Sequence, residues 1–382
     1  MKKFSTLFLA LLLTIGFCVI PINPVYSAVD SWVPKASMPT ARSDLGVAVV
    51  DGKIFAIGGY NAGYLSTNEQ YDPATDTWTT KQPMPTPRSS FGIAVYQNKI
   101  YAIGGATGTS SFELITDVNE VYDPATDSWS QKTKIPLAGE QFQANVLNGK
   151  IYLTGGLVSN DTQVYDPTTD AWTSGTSIPT QVYLYGSTVA NNKMYILGGS
   201  GPGTPNLNQI YNPQTNTWSA GRVVPTPVTG ETAAATTGVK APERIYAIGG
   251  RISYSTTATS INQVYDPATD QWASGTDMPT ARFNFAVAVV DDLLYAIGGV
   301  GSTSHTATPY NTNEQYTPIG YGTVPTSTPP TTATPTPTNG QGLGGAQTLY
   351  ILAIITVVIL VVVVALILAL RRRQKPKNIT SA

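Results

Sequence analysis

Histidine and cysteine are nearly missing from this 382-residue chain, which has one of each, His305 and Cys18. That removes most metal and thiol chemistry. Charge is scarce too: 12% of residues are Asp, Glu, Lys or Arg, about half the usual quarter for soluble domains. A helical bundle or coiled coil needs abundant Glu, Lys, Ala and Leu with few breakers, whereas 35 Gly and 28 Pro occur here. Wholesale disorder is excluded by 21 Tyr and 6 Trp, enough aromatic mass for a core.

The net charge of −1 hides a segregation along the chain. Lys2 and Lys3 stand at one end, and Arg371, Arg372, Arg373, Lys375 and Lys377 at the other, with no acid near either group. The part between holds 15 of the 22 bases and all 23 acids, a net of −8. So acidic a part is a poor nucleic-acid binder, because phosphate neutralisation dominates such binding.

Both ends carry membrane signals. Residues 1–27 read as a secretory signal: a Lys pair, an apolar run from Leu7 to Ile20, and Val25-Tyr26-Ser27 at the expected cleavage site. Cleavage after Ser27 removes Cys18 and leaves no disulfide. Residues 349–370 are apolar apart from Thr356, long enough as a helix (~33 Å) to cross a bilayer. Arg371-Arg372-Arg373 follows as a stop-transfer signal, which puts residues 371–382 in the cytoplasm. Residues 319–348 are Thr, Pro and Gly-rich and uncharged, an extended stalk. The expected topology is a single-pass plasma-membrane protein with residues 28–318 outside the cell.

Residues 28–318 repeat a pattern. Double glycines stand at Gly58-Gly59, Gly104-Gly105, Gly155-Gly156, Gly198-Gly199, Gly249-Gly250 and Gly298-Gly299, spaced 43 to 51 residues apart. A short apolar strand precedes each pair. A Tyr follows each, at Tyr71, Tyr122, Tyr165, Tyr211, Tyr265 and Tyr316, usually within Tyr-Asp-Pro. In five repeats Trp comes seven residues after Tyr: Trp78, Trp129, Trp172, Trp218 and Trp272. The period, with four short strands per unit, matches a propeller blade. Double Gly permits close backbone approach and positive φ, Asp-Pro opens a tight turn, and Tyr and Trp fill the space between blades. These residues are therefore expected to be structural.

The units resemble kelch repeats over residues 30–318. Trp32 lacks an upstream Tyr-Asp-Pro and Tyr316 lacks a downstream Trp, so placing both in one blade makes six complete units. The expected fold is all-β: a six-bladed kelch-type β-propeller closed by the N-terminal strand, plus one C-terminal transmembrane helix.

In a four-stranded meander the loops between second and third strands share a face with the blade-to-blade connections. These 2–3 loops differ in every blade, while the opposite turns are near-copies, so the variable face is the expected binding face. The resemblance implies contacts just after each double Gly and early in each first strand. The first set includes Tyr60, Ser200 and Arg251. The second is Asp44, Ser90, Gln141 and Asn284, with Tyr183 and Glu231 in the corresponding places of blades 4 and 5. Arg42, Arg88 and Arg282 recur in Met-Pro-Thr-Ala/Pro-Arg of blades 1, 2 and 6. They form an expected basic arc for an acidic sugar or a carboxylate-bearing peptide, or else pair with local carboxylates.

Some kelch-like proteins are enzymes. Copper radical oxidases need two His and a Tyr–Cys crosslink, which this chain cannot supply, and the Asp-box of sialidases is absent. A sugar mutarotase or epimerase using an Arg–Glu pair stays open. The expected function is a non-catalytic cell-surface binding module for an extracellular protein or glycan. The alternatives are an enzyme acting on acidic sugars and a structural surface component. No cofactor, metal or nucleic-acid partner is expected.

Overall fold

The computed structural model describes residues 29–323, apart from 110–111, 203–205, 253–254 and 305–306. The expected signal, membrane span and tail, most of the stalk, and His305 lie outside these residues. Among the described residues no helix is long and apolar enough to cross a membrane.

Six antiparallel four-stranded sheets form the blades of a propeller. Blade 1 runs Gly46–Val50, Lys53–Ile57, Asn68–Asp72 and Thr77–Thr80, and blades 2 to 5 repeat that meander. Blade 6 takes its first three strands from Ala286–Val290, Leu293–Ile297 and Asn313–Thr317. Its outer strand is Ser31–Lys35, paired with Trp32 opposite Tyr316.

Turn chemistry explains the meander. In five blades the first turn is two residues with both φ positive, as at Asp51-Gly52 and Asn191-Asn192. That is the primed geometry whose twist matches the flanking strands. Blade 5 departs, since Thr236–Arg244 makes a longer turn. Asp292, from the first turn of blade 6, holds it by accepting from the amides of Thr237, Val239, Lys240 and Ala241. Burial alone would raise its pKa, but these amides win and hold it below the usual value.

Apolar residues run almost unbroken along the second strands, yet no blade has a core of its own. The buried clusters lie between neighbouring blades: Ile54, Ala56 and Tyr71 of blade 1 pack against Ala286, Tyr295 and Ile297 of blade 6. The same arrangement recurs between every adjacent pair. The outer seams add polar staples. Each Tyr stacks on its Trp with centroids 4.9–5.1 Å apart. Each Trp indole donates to a carbonyl of the preceding blade at 2.8–3.0 Å, as Trp78 does to Ala36 and Trp32 to Thr276. Each Tyr hydroxyl donates to an Asp or Asn at 2.5–2.8 Å. In five blades that acceptor ends the turn between the third and outer strands. In blade 6 it is Asp30, which also accepts from the Thr276 amide at 2.8 Å.

Asp30→Ala should therefore weaken the seam between blades 5 and 6 by roughly 1–2 kcal/mol. Thermal unfolding should show the loss, and amide exchange should rise in Asn313–Thr317. Exchange unchanged there would show that Asp30 contributes nothing to closure.

Candidate functional site

A ring of six residues surrounds the mouth of the central channel. Asp44, Ser90, Gln141, Leu184, Gly230 and Asn284 precede the first strands and share φ between 52° and 68°. Each amide donates to the carbonyl of its counterpart in the neighbouring blade at 2.8–3.3 Å: Ser90 to Asp44, Gln141 to Ser90, Leu184 to Gln141, Gly230 to Leu184, Asn284 to Gly230 and Asp44 to Asn284. The hydrogen bonds close on themselves. Because the backbone is fully engaged, the side chains of this ring are free to differ and to face the channel mouth.

The ring corrects two expected positions. In blades 4 and 5 the ring residues are Leu184 and Gly230, not Tyr183 and Glu231. Tyr183 instead bridges Ser200 backbone to backbone, and Ser200 donates its hydroxyl to Thr229 at 3.0 Å. Arg251 stacks on Phe283 at 5.6 Å. Tyr183, Ser200 and Arg251 thus engage neighbouring backbone and rings away from the two cavities described below.

Of the two readings of the arginines, pairing with local carboxylates holds and the basic arc does not. Arg42, Arg88 and Arg282 are 0% exposed. They pair with Glu69, Glu120 and Glu314 at 2.7, 3.0 and 2.8 Å and donate to the carbonyls of Ala56, Ala102 and Ala296. Burial pushes Arg88 and Arg282 down to about 10, so both guanidiniums stay charged at neutral pH. The matching positions in blades 3, 4 and 5 are Gly139, Val182 and Val228, whose carbonyls accept the same double-Gly amide. There the carboxylate is replaced by Gln163, Gln209 or Gln263. Each amide side chain clasps backbone N–H and C=O, of Leu137, Thr180 and Thr226 respectively. Arg therefore goes with Glu, and its absence with Gln. That match was readable in the repeat as Asn-Glu against Thr-Gln or Asn-Gln. The double glycines complete the seam: a Cβ on Gly58 would lie 2.6 Å from the Arg88 carbonyl, and one on Gly59 2.7 Å from that of Ser43.

Two cavities open on this face. The channel cavity, about 280 Å³, is lined by Asp44, Ser90, Gln141, Glu231 and Asn284 among others. A side pocket of about 480 Å³ lies beside it. Its walls come from the ring (Asp44, Ser90, Gln141), the blade 1 loop (Tyr60, Tyr64), the blade 2 hairpin (Thr109, Phe112, Glu113) and Glu140. The hairpin pairs Ala106–Thr109 with Phe112–Ile115. Tyr60 and Tyr64 meet edge to face at 5.4 Å, and Tyr64 donates to Glu113 at 2.7 Å. Burial raises Asp44 to about 6 and Glu140 to about 7. Tyr64, Phe112 and Glu113 were expected only as parts of variable 2–3 loops, and Glu140 only as an acid on the rim. Only the folded hairpin brings them beside Asp44.

Glu231 occupies a place that Leu45, Phe91, Phe142, Tyr185 and Phe285 fill in the other blades. It is 4% exposed, and neither oxygen makes a full hydrogen bond among the described residues. Burial pushes its pKa well above the carboxylate range, offset in part by the backbone amides of Glu231, Gly186 and Gly199.

These features define a closed six-bladed β-propeller with a polar, acidic face on its variable side. A family model for the kelch motif matches residues 41–85 and 87–134, and one for the Attractin/LZTR1 beta-propeller matches residues 143–318. The chain belongs to the kelch-repeat β-propeller family. The solved structure of YjhT superposes with a TM-score of 0.65 at 16% identity, covering 74% of this chain and 96% of that one. At that identity the likeness is one of fold. No curated protein matches the chain.

Breaking one ion pair, as in Arg282→Ala, should cost about 3–5 kcal/mol by leaving Glu314 buried and unpaired. Arg282→Val with Glu314→Gln, the blade 5 combination, should recover most of it in denaturant unfolding. Additive losses would refute the coupling. For Glu231 the folded pKa is raised, so its penalty is absent at low pH and grows as pH rises above the unfolded value. Glu231→Leu should gain about 2 kcal/mol at pH 8 and little at pH 4. Equal gains at both would show that ionisation is irrelevant.

Proposed function

We propose that this chain is a surface binding module whose variable face docks an extracellular protein or glycan. In this reading residues 349–370 anchor it in the membrane, residues 319–348 form the stalk, and the N-terminal strand closes the propeller. The observation that carries the reading is the side pocket, where side chains from the ring, two divergent loops and a blade connection converge on an open polar cavity. A rigid scaffold that presents variable loops around a pocket suits recognition.

The described chain ends away from this pocket. Past the third strand of blade 6 it turns against the long first turn of blade 5, where the Gly322 amide donates to the Lys240 carbonyl at 2.6 Å. That is the side opposite the pocket.

An enzymatic reading on sugars has one supporting observation, the two carboxyl groups at about 6 and about 7 in one pocket, values suited to proton transfer near neutrality. The buried arginines give no cationic clamp for an acidic sugar on this face.

On cells displaying the full chain, an epitope inserted at 62–63 should be reachable by antibody. Glycan and peptide arrays should yield a ligand lost when Thr107–Ile115 is replaced by a Gly-Ser linker. Shielded loop epitopes beside reachable third-to-outer-strand turns, or array capture indifferent to the hairpin, would sink the reading. Catalysed anomer exchange in NMR, abolished by Glu140→Gln, would favour the enzyme.

A further inference from the structure

The side pocket is chemically one-sided. Three carboxylates line it, Asp44, Glu113 and Glu140, and no Lys or Arg does. Two of them have partners: Asp44 accepts from the Ser43 hydroxyl at 2.7 Å and Glu113 from Tyr64. Glu140 differs. It is 3% exposed, yet among the described residues no hydrogen-bond donor or base meets its carboxylate, which opens into the pocket. Its backbone is fixed, because its carbonyl accepts from the Leu157 amide at 3.2 Å and Gln141 belongs to the closed ring. A buried carboxylate without a donor either takes up a proton or meets a positive charge that a ligand brings.

The remaining walls narrow the class of cation. No group of three or more His, Cys, Asp or Glu among the described residues is placed to hold a metal ion, so a compact metal cannot collect the three acids. An extended cation with several N–H donors can reach them separately. Tyr60, Tyr64 and Phe112 line the same space, and Phe112 is 65% exposed. Their ring faces attract ammonium and guanidinium groups by cation–π interaction.

We propose that the pocket between the blade 1 loop, the blade 2 hairpin and Glu140 binds an organic cation, an alkylammonium or guanidinium group, with Glu140 as its principal counter-charge. The inference rests on the docking-face reading above and names its ligand chemistry. The cation belongs either to a basic side chain of a protein or to an amino sugar. The groups facing it are Asp44, Glu113, Glu140, Tyr60 and Tyr64. Burial, with the mutual repulsion of the acids, raises Asp44 and Glu140. As pH falls through about 7 and then about 6 they take up protons, and the attraction is lost.

Calorimetric titration of the purified full-length chain in detergent tests this with four probes. Nα-acetyl-lysine amide and glucosamine carry the charge, while Nα-acetyl-norleucine amide and N-acetylglucosamine are neutral counterparts. At least one cationic probe should bind at pH 8 where its neutral counterpart does not, and whichever binds identifies the source. Glu140→Gln, isosteric and neutral, should weaken binding about tenfold, the loss of a single charge-assisted contact. Asp44→Asn provides a second readout should the first variant unfold. Affinity should also fall between pH 8 and pH 5.5. Equal binding of charged and neutral probes, no binding by either cation, indifference to both variants, or displacement by equimolar calcium would overturn the proposal. Array ligands retained by Glu140→Gln but lost with the hairpin would leave the docking face standing and remove only the cation pocket. Array ligands indifferent to the hairpin would remove the docking face itself.

Discussion

A blade of this protein cannot stand alone, because its apolar residues face its neighbours and not a core of its own. Everything else depends on that inter-blade seam. Each seam repeats three backbone or side-chain links: the second glycine of a pair donates to the next blade at 2.8–3.1 Å, the left-handed ring residue donates to its counterpart, and the outer Trp donates to the preceding blade. Hydrogen bonds that close on themselves leave no free end from which the ring can open. The seam also explains why glycine cannot be replaced there. A side chain on the first glycine would strike the neighbour's backbone carbonyl, which has no room to move.

The seam has two chemical solutions and the protein uses both. Blades 1, 2 and 6 fill it with a buried Arg–Glu pair, and blades 3, 4 and 5 with a Gln that clasps backbone. The first engages the carbonyls of Ala56, Ala102 and Ala296 with charge, and the second engages the backbone of Leu137, Thr180 and Thr226 without it. The ionic seams lie together on one arc of the ring. Glu231 fits neither solution, since it places a carboxyl where five blades place a hydrophobic plug. It lines the channel cavity beside the ring, and a buried acid without a full hydrogen bond is a local choice that opposes the repeat.

Much of the fold was legible because repetition amplifies it. Tyr, Trp and double Gly recur in register, and Trp32 and Tyr316 are each half of a pair. The residue just before each first strand was harder to place in blades 4 and 5. Those blades put Leu184 and Gly230 in the left-handed position, without the polar side chains that mark it as Asp44, Ser90, Gln141 and Asn284. For the arginines the repeat left two readings, a basic arc or pairing with local carboxylates, because exposure is not written in a motif. Met-Pro-Thr-Ala-Arg reads as a surface turn until its guanidinium is seen beneath the neighbouring strand.

The sequence by itself determined the blade count, the all-β class and the variable loops, because these follow from periodic residues whose turn and packing preferences are local. Tertiary structure alone decided which charges line a pocket and which are buried struts. Arg42, Arg88 and Arg282 lie under the seam and meet glutamates 27 to 32 residues away in the chain, while Glu140, Glu113 and Asp44 come from three different blades and meet in one pocket. Local pattern fixes the strands, but burial and long-range proximity arise only when the ring closes, and they decide what a charged side chain can do.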